Sequence, residues 1–187
     1  RVTPDRVAAI IIEPQLGEGG FVPAPPDFLR ALREITRQHG IVLIADEIQS
    51  GMGRTGRMFA YEHAGIEPDL VTIAGDIVSG HSNEVEPYLD ALAPLTRAPL
   101  GAWYCYGNHD YFDGDPREIA KQLGSIGITT LRNETVALRH GHGQFILGGI
   151  DDLILGSPDW SRLLAEHGAP HLLLAHNPDH FYDAEAN

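Results

Sequence analysis

An α/β fold with a central, mostly parallel sheet flanked by helices is the class this sequence predicts, and three observations predict it. Short apolar runs alternate with stretches of helical period, the pattern of βαβ units. Polar residues follow several of those runs directly, where open α/β sheets place their ligands. From Ile128 the pattern changes to two alternating runs, Thr135 to Leu138 and Gln144 to Leu147. Joined by His140-Gly141-His142-Gly143, they predict an antiparallel hairpin in the C-terminal half.

Each element has a local reason. Ala8 to Ile12 is an apolar run that suits a buried strand, and a Gly- and Pro-rich loop follows from Pro14 to Pro25. Pro26 suits the first turn of a helix whose inward face is expected to be Phe28, Leu29, Leu32 and Ile35, with Gly40 as its stop. Ile41 to Ala45 and Leu70 to Ala74 are further strands, separated by a glycine-rich loop and a short helix from Met58 to Ala64. Glu84 to Leu92 is expected as a helix with Val85, Tyr88, Leu89 and Leu92 inward. Leu100 to Tyr106 follows as a strand, and Pro116 to Leu123 as a helix ended by Gly124. A helix from Trp160 to His167 and a strand from His171 to Ala175 close the order. Strands 41–45, 70–74, 100–106 and 171–175 are expected to be neighbours, with 8–12 the piece without an obvious slot.

Composition narrows the function. The chain has 187 residues, 43% hydrophobic and 21% charged, enough for one globular domain with a sizeable core. Thirteen basic against 26 acidic residues give a net charge of −13, which repels phosphate backbones and anionic membranes, so nucleic acid is not an expected partner. The single cysteine, Cys105, excludes a disulfide framework and any Cys-rich zinc module, and suits a small buried position. Apolar runs such as Val7 to Ile12 are too short to span a bilayer. With no charged n-region or h-region after Arg1, a cytoplasmic location is expected. Of the 13 basic residues only Lys121 is a lysine.

The polar residues at strand ends are Glu13, Asp46 with Glu47, Asp76, Asn108 with His109 and Asp110, and His176. Carboxylate, amide and imidazole on one sheet edge are hard to borderline ligands, and divalent cations would offset the acidic charge. The bland alternative is that each is a helix cap or turn former. Taken together, Asp76, Asn108 and His176 favour a site.

From Val7 to Ala74 the chain resembles class III pyridoxal-phosphate aminotransferases. The resemblance lies in Ile11-Ile12-Glu13-Pro14, Gly17-Glu18-Gly19-Gly20, Ile41-Val42-Leu43-Ile44-Ala45-Asp46-Glu47-Ile48-Gln49, Gly53-Arg54-Thr55-Gly56 and Glu67-Pro68-Asp69-Leu70. It implies that Asp46 pairs with the pyridinium nitrogen of the cofactor and that Gln49 lies against its ring. It also implies a Schiff-base lysine at position 75, where this sequence has Gly75. The family's upstream phosphate-binding half has no counterpart here.

From Gly75 onward the chain resembles calcineurin-like metallophosphoesterases, through Gly75-Asp76, Gly107-Asn108-His109-Asp110 and Leu172-Leu173-Leu174-Ala175-His176. That resemblance implies Asp76 bridging two metals, Asn108 and His176 on the second metal, and His109 assisting the leaving group. Asp46 stands as a partial substitute in place of the family's opening Asp-x-His, with Ile48 at the histidine position. No closing Gly-His-Thr-His motif is present, and His180 is expected at a loop surface.

The sequence therefore predicts two segments, 1–74 aminotransferase-like and 75–187 phosphoesterase-like, packed as one α/β domain. The expected function is metal-dependent hydrolysis of a small-molecule phosphate ester with Mn, Fe or Zn, impaired by the missing motifs. The alternatives are an inactive fragment of a pyridoxal-phosphate-dependent aminotransferase, with the cofactor not covalently bound, or a non-catalytic fusion product. Weaker signals carry less. Gly51-Met52-Gly53-Arg54-Thr55-Gly56 lies five residues past its strand, too far to make the tight turn of a dinucleotide fingerprint. Trp103, Tyr104 and Tyr106 suit core and rim, and His63, His81, His140 and His142 suit loop surface.

Overall fold

A computed structural model describes residues 3–78, 85–141, 143–163 and 168–180. Within them the chain forms a parallel five-stranded sheet in the order β1-β4-β5-β6-β7. Its strands are β1 (Ala9–Ile12), β4 (Val42–Asp46), β5 (Leu70–Ala74), β6 (Ala102–Cys105) and β7 (Ile128–Thr130). A two-stranded piece, β2 (Gln15–Leu16) with β3 (Val22–Pro23), lies in the loop after β1. A second sheet, ordered β10-β9-β8, joins the antiparallel hairpin β8 (Glu134–His140) and β9 (Gly143–Gly149) to β10 (His171–Leu174), which runs parallel to β9.

Two cores cover the two faces of the central sheet. The alternation of strand side chains sends Val71, Ile73, Ala102 and Tyr104 to one face, where Leu92, Leu95, Ile119, Leu123 and Phe59 close over them. It sends Val42, Ile44, Leu70, Trp103 and Cys105 to the other, against Phe145, Leu147 and Leu174 of the second sheet. Helices thus lie on one side and a sheet on the other. Each fully buried Leu or Ile contributes roughly 1.5–3 kcal/mol by leaving water, so the paired cores hold the strand ends in place.

The strand that lacked a slot has one: Ile10 and Ile11 sit in register with Leu43 and Ile44 at the sheet edge. The expectation for 171–175 fails, because that strand pairs with β9 rather than with the central sheet. β9, buried from Phe145 to Gly149, offers it an apolar parallel partner. β7 and a short helix, α3 (Asn108–Phe112), were not expected.

The first long helix, α1 (Pro26–His39), begins with Pro at its first position and ends at Gly40 in the left-handed region. Its inward face differs from the expected one. Leu29, Arg33 and Thr36 are buried, whereas Phe28 and Ile35 are about half exposed. Arg33 reaches Asp69 with both guanidinium nitrogens, at 2.6 and 2.7 Å, and that buried ion pair sets the rotation of the helix.

Met58 to Ala64 is realised as a 3-10 helix, Ala60–Ala64. The segment after Val85 breaks into short turns around α2 (Leu89–Leu92), with Val85 and Leu92 buried and Tyr88 exposed. α4 (Pro116–Ser125) starts on Asp115, whose side chain accepts the Arg117 N–H. His81, His142 and the body of the expected helix at 160–167 fall at least partly outside the described residues. Among the described residues no helix is long and apolar enough to cross a membrane.

Candidate functional site

Parallel strands end together, so the carboxyl edge of the central sheet gathers Glu13, Asp46, Gly75-Asp76 and Gly107-Asn108-His109. Two groups form along that edge.

The first group lies at the end of β1 and β4. Ile12 pairs with Ala45, so Glu13 and Asp46 stand beside one another one residue further on. Glu13 accepts the Gly17 N–H at 2.9 Å, which folds the glycine-rich loop back over the strand end. Asp46 accepts the N–H of Ile48 at 3.1 Å. Burial pushes the Asp46 carboxyl above its usual range, and the nearby Glu13 carboxylate adds to the rise. Gln49 is exposed, with its side chain lying along Gly17. Beneath them Glu47 is buried and accepts from the Ser50 hydroxyl at 2.7 Å and from the N–H groups of Ala60 and Tyr61 at 3.0 and 2.9 Å. It ties the 47–61 loop to the sheet.

The second group lies at the end of β5 and β6. Asp76 has a left-handed φ of 53°. Its carboxylate accepts the His109 N–H at 2.9 Å and faces His176 Nε2 at 3.3 Å. The other nitrogen of His176 lies 2.7 Å from the Ala74 carbonyl. Burial acts to raise Asp76, but the His176 and His109 contacts overcome it and hold the carboxyl below its usual value. His176 is pushed up to about 9, chiefly by its contact with Asp76. His109 Nδ1 contacts Asp113 at 2.8 Å.

Beneath this group lies Asp110, expected only as one of several polar residues at strand ends and not singled out as a ligand. Asp110 is fully buried and accepts the N–H groups of Gly107 at 2.7 Å, Asp76 at 3.0 Å and Ile77 at 3.1 Å, together with the Tyr104 hydroxyl. The signal available was its place in the first turn of a helix just after a strand, where a carboxylate satisfies backbone donors.

His180 also departs from expectation. It is buried, with Nε2 at 3.1 Å from the Asp151 carbonyl and its ring edge-on to Trp160. Cys105 is buried as expected and its thiol is pushed far above its usual range by burial. Trp103, Tyr104 and Tyr106 are core.

These residues meet the needs of pyridoxal phosphate in one respect and fail in another. A carboxylate at the Asp46 position, half-buried beside a glycine-rich loop, fits a partner for a pyridinium nitrogen. Covalent attachment does not fit. Position 75 is a buried glycine, and the one lysine, Lys121, sits on α4 with an exposed side chain paired to Glu118.

A family model described as Aminotransferase class-III matches residues 1–126, well over half of the chain. The chain belongs to the class-III aminotransferase family. It is 51% identical over 130 residues to 5-aminovalerate aminotransferase of Pseudomonas putida, an overlap of 67% of this chain and 28% of that protein. To acetylornithine aminotransferase of Methanocaldococcus jannaschii it is 41% identical over 153 residues, 80% of this chain and 36% of that one. A solved ornithine aminotransferase from Plasmodium yoelii overlaps 36% of this chain and 19% of its own, at 31% identity and a TM-score of 0.35. This aminotransferase chain spans about a third of the length of the curated relatives it matches.

The metallophosphoesterase expectation is thereby corrected. The aminotransferase match crosses the expected boundary at residue 75 and continues to 126, so neither the phosphoesterase segment nor a junction of two families has support. Divalent metal held by Asp76, Asn108, His176 and Asp46, with His109 as acid for a phosphoester substrate, gives way with it. Among the described residues no group of three or more His, Cys, Asp or Glu is placed to hold a metal ion. The expected donors do not come together: Asp76 has the His109 N–H and the His176 ring beside it, while Asp46 stands with Glu13 in the other strand-end group.

Proposed function

We propose that this chain is a class-III aminotransferase segment that keeps the ring-nitrogen carboxylate of the pyridoxal-phosphate pocket, Asp46, and lacks the lysine the reaction requires. It holds the cofactor non-covalently and does not transaminate by itself. What supports this reading is the retention of Asp46 at the end of β4 beside Glu13, together with a glycine, Gly75, just past the end of the adjacent strand β5, whose Thr72 lies in register with Asp46. Gln49, over the glycine-rich loop, is proposed to flank the ring.

The relatives are named for 5-aminovalerate, diaminobutyrate, 4-aminobutyrate and putrescine. That likeness supports an aliphatic amine as the substrate class of the complete protein. It gives this chain a binding role, because the electron sink is the cofactor's chemistry and its anchorage needs an amine at the right strand end.

The test is a titration of the chain with pyridoxal phosphate, followed by absorbance and then by borohydride reduction and peptide mapping. A saturable spectral change that Asp46→Ala removes, with no reduced adduct beyond the slow labelling of exposed Lys121, supports the reading. Amine transfer to 2-oxoglutarate by the chain, lost in Lys121→Ala, overturns it.

A further inference from the structure

We propose that the corner from Ala74 to Asp76 is built to exclude any side chain at position 75, so that the missing lysine cannot be restored there by substitution. The inference rests on the aminotransferase reading for the statement that 75 is the lysine's position; the rest is geometry.

Gly75 has a φ of 83°, a conformation L side chains rarely adopt. A Cβ placed on it would meet His176 Nδ1 at 2.5 Å and the backbone Cα and N of Gly107 at 2.7 Å each. These distances fall well inside van der Waals contact. A side-chain obstacle can turn aside; the Gly107 backbone cannot, because its N–H is held by the buried Asp110 at 2.7 Å. The reverse face is equally closed, since a Cβ on Gly107 would strike the Asp76 side chain and lie 2.7 Å from the Asp76 N. The two glycines pack backbone to backbone, β5 end against β6 end. Asp110 locks both sides by taking the N–H groups of Asp76, Ile77 and Gly107. The His176 ring then caps the corner through the Ala74 carbonyl.

Other glycines of this chain separate the two costs. Gly65 also lies in the left-handed region, with a φ of 64°, but a Cβ there meets nothing within 4 Å. Gly124, in α4, has open space and no positive φ. Gly65→Ala therefore reports backbone conformation alone, a drop in melting temperature of about 2 to 8 °C. Gly124→Lys reports the introduction of a lysine alone, and should melt at or above the parent.

The experiment is thermal melting of Gly75→Ala, Gly65→Ala, Gly75→Lys and Gly124→Lys in the full chain. Gly75→Ala is expected to lose more than twice what Gly65→Ala loses, and Gly75→Lys to lose the cooperative transition while Gly124→Lys keeps it. The effect of Gly75→Ala is expected to be smaller in a His176→Ala background, measured against His176→Ala alone, than in the parent, but not zero. If Gly75→Ala costs nothing in that background, the obstacle lies on a movable ring and a backbone-built exclusion is overturned. Equal losses for Gly75→Ala and Gly65→Ala would overturn it too. So would a Gly75→Lys chain that melts with the parent and carries a borohydride-reduced cofactor at residue 75. If the parent shows no saturable change with pyridoxal phosphate, the proposed function fails while the glycine series still decides this inference on its own.

Discussion

The carboxylate of Asp110 reaches from the first turn of α3 to the backbone N–H of Asp76, 3.0 Å away across the gap between β6 and β5. Five groups converge on that one buried side chain: the N–H donors of Gly107, Asp76, Ile77 and, at 3.5 Å, Val78, and the Tyr104 hydroxyl. Burial works against the charge and raises the Asp110 carboxyl above its usual range. The hydrogen bonds oppose that rise, so the residue is costly to bury and more costly to remove.

Asp110→Ala is expected to destabilise the chain by about 3 kcal/mol or more, since it strands several buried backbone donors at once. Asp110→Asn, which keeps one acceptor oxygen, should lose less. Urea unfolding measures both, and an alanine variant within about 0.5 kcal/mol of the parent would show that the corner holds itself.

The bidentate pair of Arg33 and Asp69 ties α1 to the start of β5, and Asp69 also accepts the Leu43 N–H at 2.9 Å. Arg33→Ala leaves a buried carboxylate without its partner, an expected loss of about 3–5 kcal/mol. Arg33→Met, similar in length and apolar, still strands Asp69 and should also be destabilised; Arg33→Met with Asp69→Leu should recover much of it. The pH dependence has a definite sign. Burial alone would raise Asp69, yet Arg33 and the Leu43 N–H hold it below its usual 3.8. The stabilisation is therefore present above that value and lost as pH falls through the lower folded value, which acid unfolding of the parent and the double variant will compare.

Much of this was legible in the sequence, and the exceptions share a cause. Apolar runs located β1, β4, β5 and β6, and the alternating runs located the hairpin, because strand burial is written locally. The inward face of α1 was not: hydrophobicity pointed to Phe28 and Ile35, while the helix is turned by a charge pair whose partner lies 36 residues away. The same holds for β10, placed by a pairing with β9, and for His180, buried by Trp160 and the Asp151 carbonyl. At the site, the strand-end positions of Asp46 and Asp76 could be read. The metal assigned to Asp76 was overturned by the family match through residue 126, and among the described residues no three His, Cys, Asp or Glu side chains gather to hold one.

Glu47 organises the loop that carries Gln49. Its carboxylate accepts from Ser50, Ala60 and Tyr61, and burial raises it above its ordinary range. Glu47→Ala is expected to cost about 2–4 kcal/mol and to unprotect the amides of Ala60 and Tyr61 in hydrogen exchange before the sheet opens. Unchanged protection at those two amides would mean that the loop stands without the carboxylate.

His176 links the second sheet to the central one, and its two ring nitrogens both face acceptors: Asp76 Oδ2 at 3.3 Å and the Ala74 carbonyl at 2.7 Å. Only the doubly protonated ring satisfies both. The contact with Asp76 raises the ring, burial opposes it, and the Ala74 carbonyl adds to the rise, giving about 9 against an ordinary 6.5. A group whose folded value lies above its unfolded value contributes fully below the unfolded one and fades as pH rises through the folded one. The contribution of His176 is therefore complete below pH 6.5 and lost on the way past about 9. Nuclear magnetic resonance titration of the His176 ring should place its midpoint near that upper value, and Asp76→Asn should move it back toward the ordinary one. In urea, the parent should weaken more than His176→Gln across that same interval, and parallel curves would mean that the link between the sheets does not depend on the charge.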